Sequence, residues 1–212
     1  MTTPDETLRQ LRQFFDDKIK AHGPTGEGVG WKDTQAQRAR YAQLLHLFDP
    51  HLPRFSVIDY GCGAGALAAY LSEQGYPMDY IGYDMTPTSI EAARAAHGHL
   101  LGVRFTTTED DLQPADYVVG CGLFSMRLNT PDDEWHAYMR QTIERLWSLA
   151  TRGIVFNSLT SYSDPEHMRP ELFYPDPMAV FDWCKRTLSP HVALYHDYDL
   201  YDWTMVVRRH PL

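Results

Sequence analysis

The sequence lacks the features that mark several protein classes. It contains three cysteines, Cys62, Cys121 and Cys184, which are far apart and form no C-x-x-C pair. Neither a disulfide framework nor a zinc site is therefore indicated. No apolar run approaches the roughly 18 residues of a membrane-spanning helix, and no signal peptide is visible. We expect a cytoplasmic protein with no membrane partner.

Positive charge is also scarce. The 212 residues include 19 Lys and Arg against 28 Asp and Glu, a formal net charge of −9, and no basic run is present. Because nucleic-acid binding depends on neutralising phosphates with Lys and Arg, we expect no nucleic-acid partner. The length suits a single domain over residues 1–212, with an N-terminal helical cap (1–50) and a core (55–212). We expect a monomer or a homodimer.

Strand and helix patterns alternate along the predicted core. Five β-type runs, each followed by a helical or turn segment, are FSVIDY, MDYIGYD, VRFTTT, ADYVVGCG and GIVFNSLT. Two last runs, HVALYHDY and YDWTMVVRR, are separated by about two residues and predict an antiparallel hairpin. We therefore expect an α/β fold, in which helices cover both faces of a seven-stranded, mainly parallel sheet with a C-terminal antiparallel β-hairpin.

A glycine-rich stretch, VIDYGCGAGAL, ends the first of these strands. Gly61, Gly63 and Gly65 allow a sharp turn and a close approach of backbone N–H groups to a ligand at the carboxyl end of the strand. The stretch lacks the GK[ST] ending of a phosphate loop, and its third glycine falls one position early for a dinucleotide motif. Asp59 is unfavourable beside a pyrophosphate but suits a cation. S-adenosylmethionine, with a sulfonium and an ammonium group and no phosphate, meets this requirement.

Further acidic residues follow the next two strands. Asp84 ends the second strand, where a carboxylate can accept hydrogen bonds from both ribose hydroxyls, or can cap the following helix. Glu109 and Asp110 end the third strand, where they could meet an adenine amino group or could be solvated loop charges.

These pieces together resemble the class I S-adenosylmethionine-dependent methyltransferases. The matching segments are VIDYGCGAGAL, YIGYD, TTTED and ADYVVGCGLF, in the right order. The resemblance implies a Rossmann-like core, methyl transfer as the activity and S-adenosylmethionine as the cofactor. The flanking segments GVGWKDTQAQRARYAQLL, FNSLTSY and YHDYDLYDWTMVV resemble a bacterial subgroup of small methyltransferases whose substrates are mostly unassigned.

The resemblance also implies roles for the matched positions. It assigns Gly61, Cys62 and Gly63 to the methionine part, with Asp59 supporting its ammonium through water, Asp84 to the ribose and Met85 to one adenine face. It assigns Asp110 to the adenine amino group, with the backbone of Glu109 or Leu112 nearby, and Cys121 and Gly122 to the ammonium through their carbonyls. Arg40 and Trp31 could close over the cofactor carboxylate and the substrate. A surface arginine and a core tryptophan are the alternatives.

Methyl transfer is an in-line displacement, so it requires alignment of donor and acceptor and exclusion of water. A base is needed only where the acceptor must lose a proton. The candidates are His167 as a base, Tyr162 in the substrate lining and Asn157 to position the acceptor, against the alternatives of surface residues and loop support. The loops 124–130 and 161–177 predict a mixed aromatic and polar lining, suited to a small polar or aromatic molecule.

Charged residues outside the glycine turn bear on two questions: whether the acceptor is acidic and whether a metal ion is bound. Arg127 and Arg169 could hold an acidic acceptor, or could be solvated loop charges. No metal is expected, because the acids of HDYDLYD are interpreted as turn residues and no Asp or Glu lies between Val118 and Thr130.

Three other functions compete with methylation of a small molecule. The first is an NAD(P)-dependent oxidoreductase, which the glycine spacing and Asp59 disfavour. The second is a non-catalytic S-adenosylmethionine-binding module. The third is methylation of a protein or RNA, which the acidic composition and the absence of an NPPY-like tetrapeptide after the fourth strand disfavour.

Overall fold

A twisted sheet with helices on both faces forms the centre of the protein. The computed structural model describes residues 4–23 and 33–211. Its strands are β1 (Phe55–Tyr60), β2 (Met78–Tyr83), β3 (Val103–Thr106), β4 (Ala115–Gly120), β5 (Ala150–Leu159), β6 (His191–Tyr195) and β7 (Asp202–Arg208). Its α-helices are α1 (Pro4–His22), α2 (Thr34–Leu44), α3 (Ala66–Glu73), α4 (Pro87–His97), α5 (Asp132–Leu149) and α6 (Pro177–Thr187).

The strand order is β3-β2-β1-β4-β5-β7-β6. Strands β1 to β5 are parallel, while β7 pairs antiparallel with both β5 and β6. The predicted α/β, Rossmann-like sheet with a C-terminal antiparallel hairpin is therefore confirmed. The hairpin connection differs from the prediction, because β6 already ends at Tyr195 and residues 196–201 form a longer loop before β7.

Two apolar clusters, one on each face, hold the sheet between the helices. One cluster joins α5 and α6 to side chains such as Ile58, Val118 and Phe156. The other joins α2, α3 and α4 to the alternate positions, such as Val57 and Val119. This alternation follows from the period of two along a strand, which sends neighbouring side chains to opposite faces.

The N-terminal helix α1 lies across the carboxyl edge of the sheet. Leu11 joins the α5 cluster, the Asp16 carboxylate accepts a hydrogen bond of 2.6 Å from the Thr88 hydroxyl, and the hydroxyls of Thr7 and Thr130 are 3.5 Å apart. Thr88 lies in the first turn of α4, after β2, and Thr130 lies in the loop after β4, so α1 bridges the segments that follow two strand ends. Within the described residues, no helix is both long enough and apolar enough to cross a membrane.

Candidate functional site

A cavity of about 250 Å³ lies beneath α1 at the carboxyl ends of β1, β2 and β4. The described walls come from α1, α2, the turn after β1, the ends of β2 and β4, and α5. This is the edge at which open α/β sheets bind their ligands. The cavity is thus the best candidate for the functional site.

The glycine turn after β1 forms the floor of the cavity. Gly61 and Gly63 have φ values of 77° and 52°, in the left-handed region that favours glycine. The N–H groups of Gly61 and Cys62 both donate to the Tyr83 carbonyl, at 2.7 and 2.9 Å. A side chain at Gly61 would collide with that of Leu123. The turn therefore needs glycine both for its conformation and for the close approach of its neighbours.

Asp84 ties the end of β2 to this turn. One carboxylate oxygen accepts the Gly63 N–H at 2.9 Å, and the other accepts the Thr86 N–H at 2.8 Å. Each oxygen keeps a further lone pair for a ligand hydroxyl. Burial raises the pKa of Asp84, although the two backbone hydrogen bonds lower it. The hydrogen bond from the Thr86 N–H gives Asp84 a local structural role, which the sequence offered as the alternative to ribose binding. Because each oxygen keeps a lone pair, this role is compatible with ligand binding.

Asp59, the second carboxylate of the cavity, is almost completely buried. Burial raises its pKa to about 7, and the negative charge of Asp84 adds to this effect. The Tyr80 hydroxyl opposes it by donating a hydrogen bond of 2.5 Å to the carboxylate. A cation bound in the cavity would favour the ionised form of Asp59.

Three tyrosines line the wall formed by β1, β2 and α5. Tyr60 and Tyr83 are paired in the sheet register, with ring centroids 4.8 Å apart, and Tyr138 comes from α5. Burial raises the pKa of all three phenols, that of Tyr83 to about 12. These hydroxyls consequently stay protonated near neutral pH. Glu109 lines the same wall, and its carboxylate accepts a hydrogen bond of 2.7 Å from Arg145.

Cys121 and Gly122 form the wall at the end of β4. The Gly122 N–H donates to the side-chain oxygen of Asn157 at 2.8 Å, and Asn157 itself is fully buried behind this wall. Arg40 does not line the cavity; its guanidinium is paired with the buried carboxylate of Asp202.

Most of the residues predicted to bind the cofactor lie together around the cavity. They are Asp59, Gly61, Cys62, Gly63, Asp84, Met85, Glu109, Cys121 and Gly122. Asp110 is exposed and is not among the lining residues. Trp31 lies outside the described residues.

The candidate catalytic residues do not line the cavity. Tyr162 is 66% exposed, and His167 lies on an exposed turn beside Asp164 and Glu166. Ligand atoms of these last three residues lie within 4.8 Å of one another, but exposed acidic groups of this kind are common without a metal ion. The loops 124–130 and 161–177 pack against each other through a bridge between Met126 and Leu172 rather than facing each other across the site. Of these loops, Met126 is the described residue that lines the cavity.

Several lining residues were not singled out from the sequence. They are the tyrosines Tyr60, Tyr83 and Tyr138, together with Thr86 and the apolar side chains of α1: Leu8, Leu11, Phe15 and Ile19. A usable signal existed for Tyr60 and Tyr83, because Tyr60 ends the first predicted strand, Tyr83 is the next-to-last residue of the second, and the carboxyl ends of parallel strands meet at one edge. The apolar stripe of α1 predicted a helix but not the surface that it covers.

The residues present fit S-adenosylmethionine. Asp59 brings a buried carboxylate to the cavity and Asp84 a half-buried one, and the described lining contains no Lys, Arg or His to neutralise them. The buried Thr86 hydroxyl has no hydrogen-bond partner and lies at the same wall. A ligand with cationic groups and ribose hydroxyls suits this set, whereas a pyrophosphate would be repelled.

Comparison with known proteins also indicates a methyltransferase. Residues 31–210 match the family model described as "Methyltransferase domain". The chain is also 44% identical over 167 residues to the Mycobacterium tuberculosis protein named "Putative methyltransferase Rv1506c", which covers 79% of this chain and 98% of that protein.

Solved structures share the fold at low sequence identity. Magnesium protoporphyrin IX methyltransferase from Synechocystis PCC 6803, with bound S-adenosylhomocysteine (SAH), matches with a TM-score of 0.65 and 16% identity, covering 96% of this chain and all of that one. DhpI, in its complex with SAM and HEP, matches with a TM-score of 0.67 and 15% identity, covering 97% of this chain and all of that one.

Proposed function

This chain belongs to the methyltransferase-domain family and is an S-adenosylmethionine-dependent methyltransferase, and from that premise we propose that it methylates a small, uncharged and largely apolar molecule. The oxidoreductase alternative is set aside by the family membership. The lining of the cavity bears on the class of the acceptor.

The charge and polarity of the lining carry this proposal. Besides the acidic residues, the lining contains apolar side chains from α1, namely Leu8, Leu11 and Phe15, with Leu123 and Met126 from the loop after β4. Lys, Arg and His are missing from the described lining. A carboxylate or phosphate on the acceptor would therefore lose its hydration without gaining a protein cation in this part of the wall.

This acceptor class departs from one expectation of the sequence. Arg127 and Arg169 were candidates for holding an acidic acceptor. Arg127 instead donates to the carbonyls of Leu172 and Thr130, at 3.2 and 2.7 Å, and so supports its own loop. Arg169 is exposed and pairs with Glu171. Neither guanidinium lines the cavity, which favours an uncharged acceptor.

The residues of the cavity would promote transfer by alignment and desolvation. Bound S-adenosylmethionine supplies a methyl group that is already activated by its sulfonium. The apolar side of α1 would exclude water from the acceptor, which is the role we propose for the predicted N-terminal cap. The Tyr60 hydroxyl is hydrogen-bonded to Glu109, and the protonated phenol of Tyr138 can donate a hydrogen bond that orients a polar group on the acceptor.

The same charge argument disfavours a macromolecular acceptor. A net charge of −9 repels RNA at long range, and α1 covers the cavity that a protruding side chain or base would have to enter. The cytoplasmic location and the state of monomer or homodimer remain predictions from the sequence.

Transfer of labelled methyl groups tests the acceptor class. The protein is incubated with methyl-tritiated S-adenosylmethionine and a bacterial cell extract. The label is then measured in three fractions: neutral organic extract, aqueous small molecules and acid-precipitable material. We expect enzyme-dependent label in the neutral organic extract, because an uncharged, largely apolar product partitions there.

Label found only in one of the other two fractions would contradict the proposal. Label confined to acid-precipitable material would identify a protein or RNA acceptor, and label confined to aqueous anions would overturn the uncharged class. No transfer to any fraction, by a protein shown calorimetrically to bind the cofactor, would also contradict the proposal. A heat-denatured sample gives the background, and Phe14→Ala, at a residue of α1 that does not line the cavity, serves as the matched active control.

A further inference from the structure

Three segments distant in sequence each place one polar side chain behind the β4 wall of the cavity. Arg40 comes from α2, Asn157 from β5 and Asp202 from the start of β7, and these residues are 8%, 0% and 1% exposed. Three polar groups buried at one place must satisfy each other, since an unpaired buried charge is strongly unfavourable. We refer to this set as the buried relay.

The relay is joined by short, directional hydrogen bonds. The Arg40 guanidinium holds both oxygens of Asp202, with Nε 2.5 Å from Oδ2 and Nη2 2.9 Å from Oδ1. The Asn157 amide nitrogen donates to Asp202 Oδ2 at 3.1 Å. The Asn157 oxygen then accepts the Gly122 N–H at 2.8 Å. The relay thus leads from α2 to the backbone of the cavity wall.

The chemistry of each group fixes the orientation of the next. An ionised Asp202 offers only acceptors, so it must face the amide nitrogen of Asn157 rather than its oxygen. The Asn157 oxygen is thereby left for the Gly122 N–H. Arg40 places a positive charge against the buried Asp202 carboxylate. Burial lowers the pKa of Arg40, but the hydrogen bond and charge of Asp202 raise it above its ordinary value.

The peptide between Cys121 and Gly122 lies between Asn157 and the cavity. A trans peptide is planar, and its C=O points opposite to its N–H; no cis peptide is present among the described residues. Because the Gly122 N–H points to Asn157, the Cys121 carbonyl points away from Asn157. Cys121 and Gly122 line the cavity while Asn157 does not, so that carbonyl is on the cavity side.

We propose that the buried relay fixes the orientation of the Cys121–Gly122 peptide, so that the Cys121 carbonyl presents an acceptor to the cationic amino group of the cofactor. Arg40, Asp202 and Asn157 are positioning residues, since they act through the peptide and not on the ligand. The proposal concerns cofactor binding and is independent of the acceptor class.

Binding of three ligands by calorimetry separates positioning from general support of the fold. S-adenosylhomocysteine carries the amino-acid portion, its decarboxylated analogue keeps the amino group alone, and 5′-methylthioadenosine has neither. In Asn157→Ala we expect the affinity for the first two to fall about tenfold, as for a lost hydrogen bond to a charged group. The affinity for 5′-methylthioadenosine should change less than twofold.

The neighbouring residue provides a matched control. Ser158 is equally buried in β5, but its hydroxyl has no hydrogen-bond partner. Ser158→Ala should therefore leave all three affinities unchanged. Arg40→Lys is the second variant, because it keeps the charge and loses the two-bonded geometry. It should give the same ligand pattern as Asn157→Ala with a smaller fold-change.

Two results would overturn the proposal. Equal losses for all three ligands in both relay variants would show that the relay merely supports the fold, and unchanged affinities in both would show that the peptide needs no support. Hydrogen exchange of the Gly122 amide in the unaltered protein gives a readout independent of any variant. Slow exchange is expected, and fast exchange would contradict the bond to Asn157.

Discussion

Asp59 combines a stability disadvantage with a predicted role in cofactor binding. Its pKa, raised by burial to about 7 in the folded protein, lies above the value of about 3.9 in an unfolded chain. The folded state therefore favours the protonated carboxyl, and this contribution to stability is lost as the pH rises towards and through 7. Tyr80 and Asp84, the hydrogen-bonding and charged neighbours of this carboxyl, are retained in the following variant.

We expect Asp59→Asn to stabilise the protein without cofactor at pH 8, by at most about 4 kcal/mol. The neutral amide removes the unfavourable burial of a charge, and the advantage should shrink towards pH 5, where Asp59 is already protonated. Urea unfolding at both pH values measures this difference. Added S-adenosylmethionine should stabilise the variant less than the parent, and a variant that is destabilised at both pH values would contradict the assigned environment.

Asp84 and Asp110 offer a matched comparison of two acids predicted to bind the cofactor. Asp84 lines the cavity with both oxygens held by backbone N–H groups, whereas Asp110 is exposed. We expect Asp84→Asn to weaken S-adenosylmethionine binding about 10- to 100-fold, because hydrogen bonds to a charged acceptor are lost. Asp110→Asn should change it less than twofold in the same titration. A tenfold loss in Asp110→Asn would restore the adenine contact that the family resemblance implies.

At the scale of elements, α1 is held over the strand ends by its apolar side chains and by two side-chain hydrogen bonds. Its apolar side chains line the cavity, and it makes side-chain hydrogen bonds to Thr88 and Thr130. Phe14 and Phe15 are adjacent and similarly half-buried, but Phe15 alone of the two lines the cavity. This pair separates the covering role of α1 from its helical stability.

Phe15→Ala should loosen α1 without loosening the sheet. Removing a half-buried phenyl ring would lower the free energy of opening α1 by about 1 to 2 kcal/mol, less than for a fully buried Phe. Hydrogen exchange of α1 amides should then accelerate about 5- to 30-fold, while exchange in β1 and β4 stays unchanged. The release rate of S-adenosylhomocysteine should also rise. Phe14→Ala removes a ring that contacts Phe15, so it should also accelerate exchange in α1, but Phe14 does not line the cavity and its loss should leave the release rate unchanged. Equal effects of the two variants on the release rate would exclude the covering role.

The elements also show which features a sequence can predict. Apolar periodicity and the glycine turn predicted the parallel strands and the residues around the turn, because those signals are local. The carboxyl groups of HDYDLYD illustrate the opposite case. They were interpreted as turn acids, yet Asp202 is buried against Arg40 from α2, a partner that no local pattern reveals. Likewise, the loop 161–177 has the composition of a substrate lining but packs on the loop after β4.

At the scale of the whole molecule, the N-terminal helices and the sheet share their cores. Leu11 of α1 belongs to the cluster on the α5 face, and Tyr41 and Leu44 of α2 belong to the cluster on the opposite face. The buried relay adds a polar connection between α2 and β7. Residues 1–50 are therefore expected to unfold with the core, as the predicted single domain requires.

Calorimetric unfolding tests this expectation directly. We expect one transition, with equal calorimetric and van't Hoff enthalpies. S-adenosylmethionine at about 100 times its dissociation constant should stabilise the protein by about 2.7 kcal/mol, which raises Tm by about 5 to 10 °C for a chain of this size. Because the cavity is built from α1, α2 and the strand ends together, the ligand should move the whole transition. A separate early transition that the ligand leaves in place would mean that the N-terminal helices fold independently of the site.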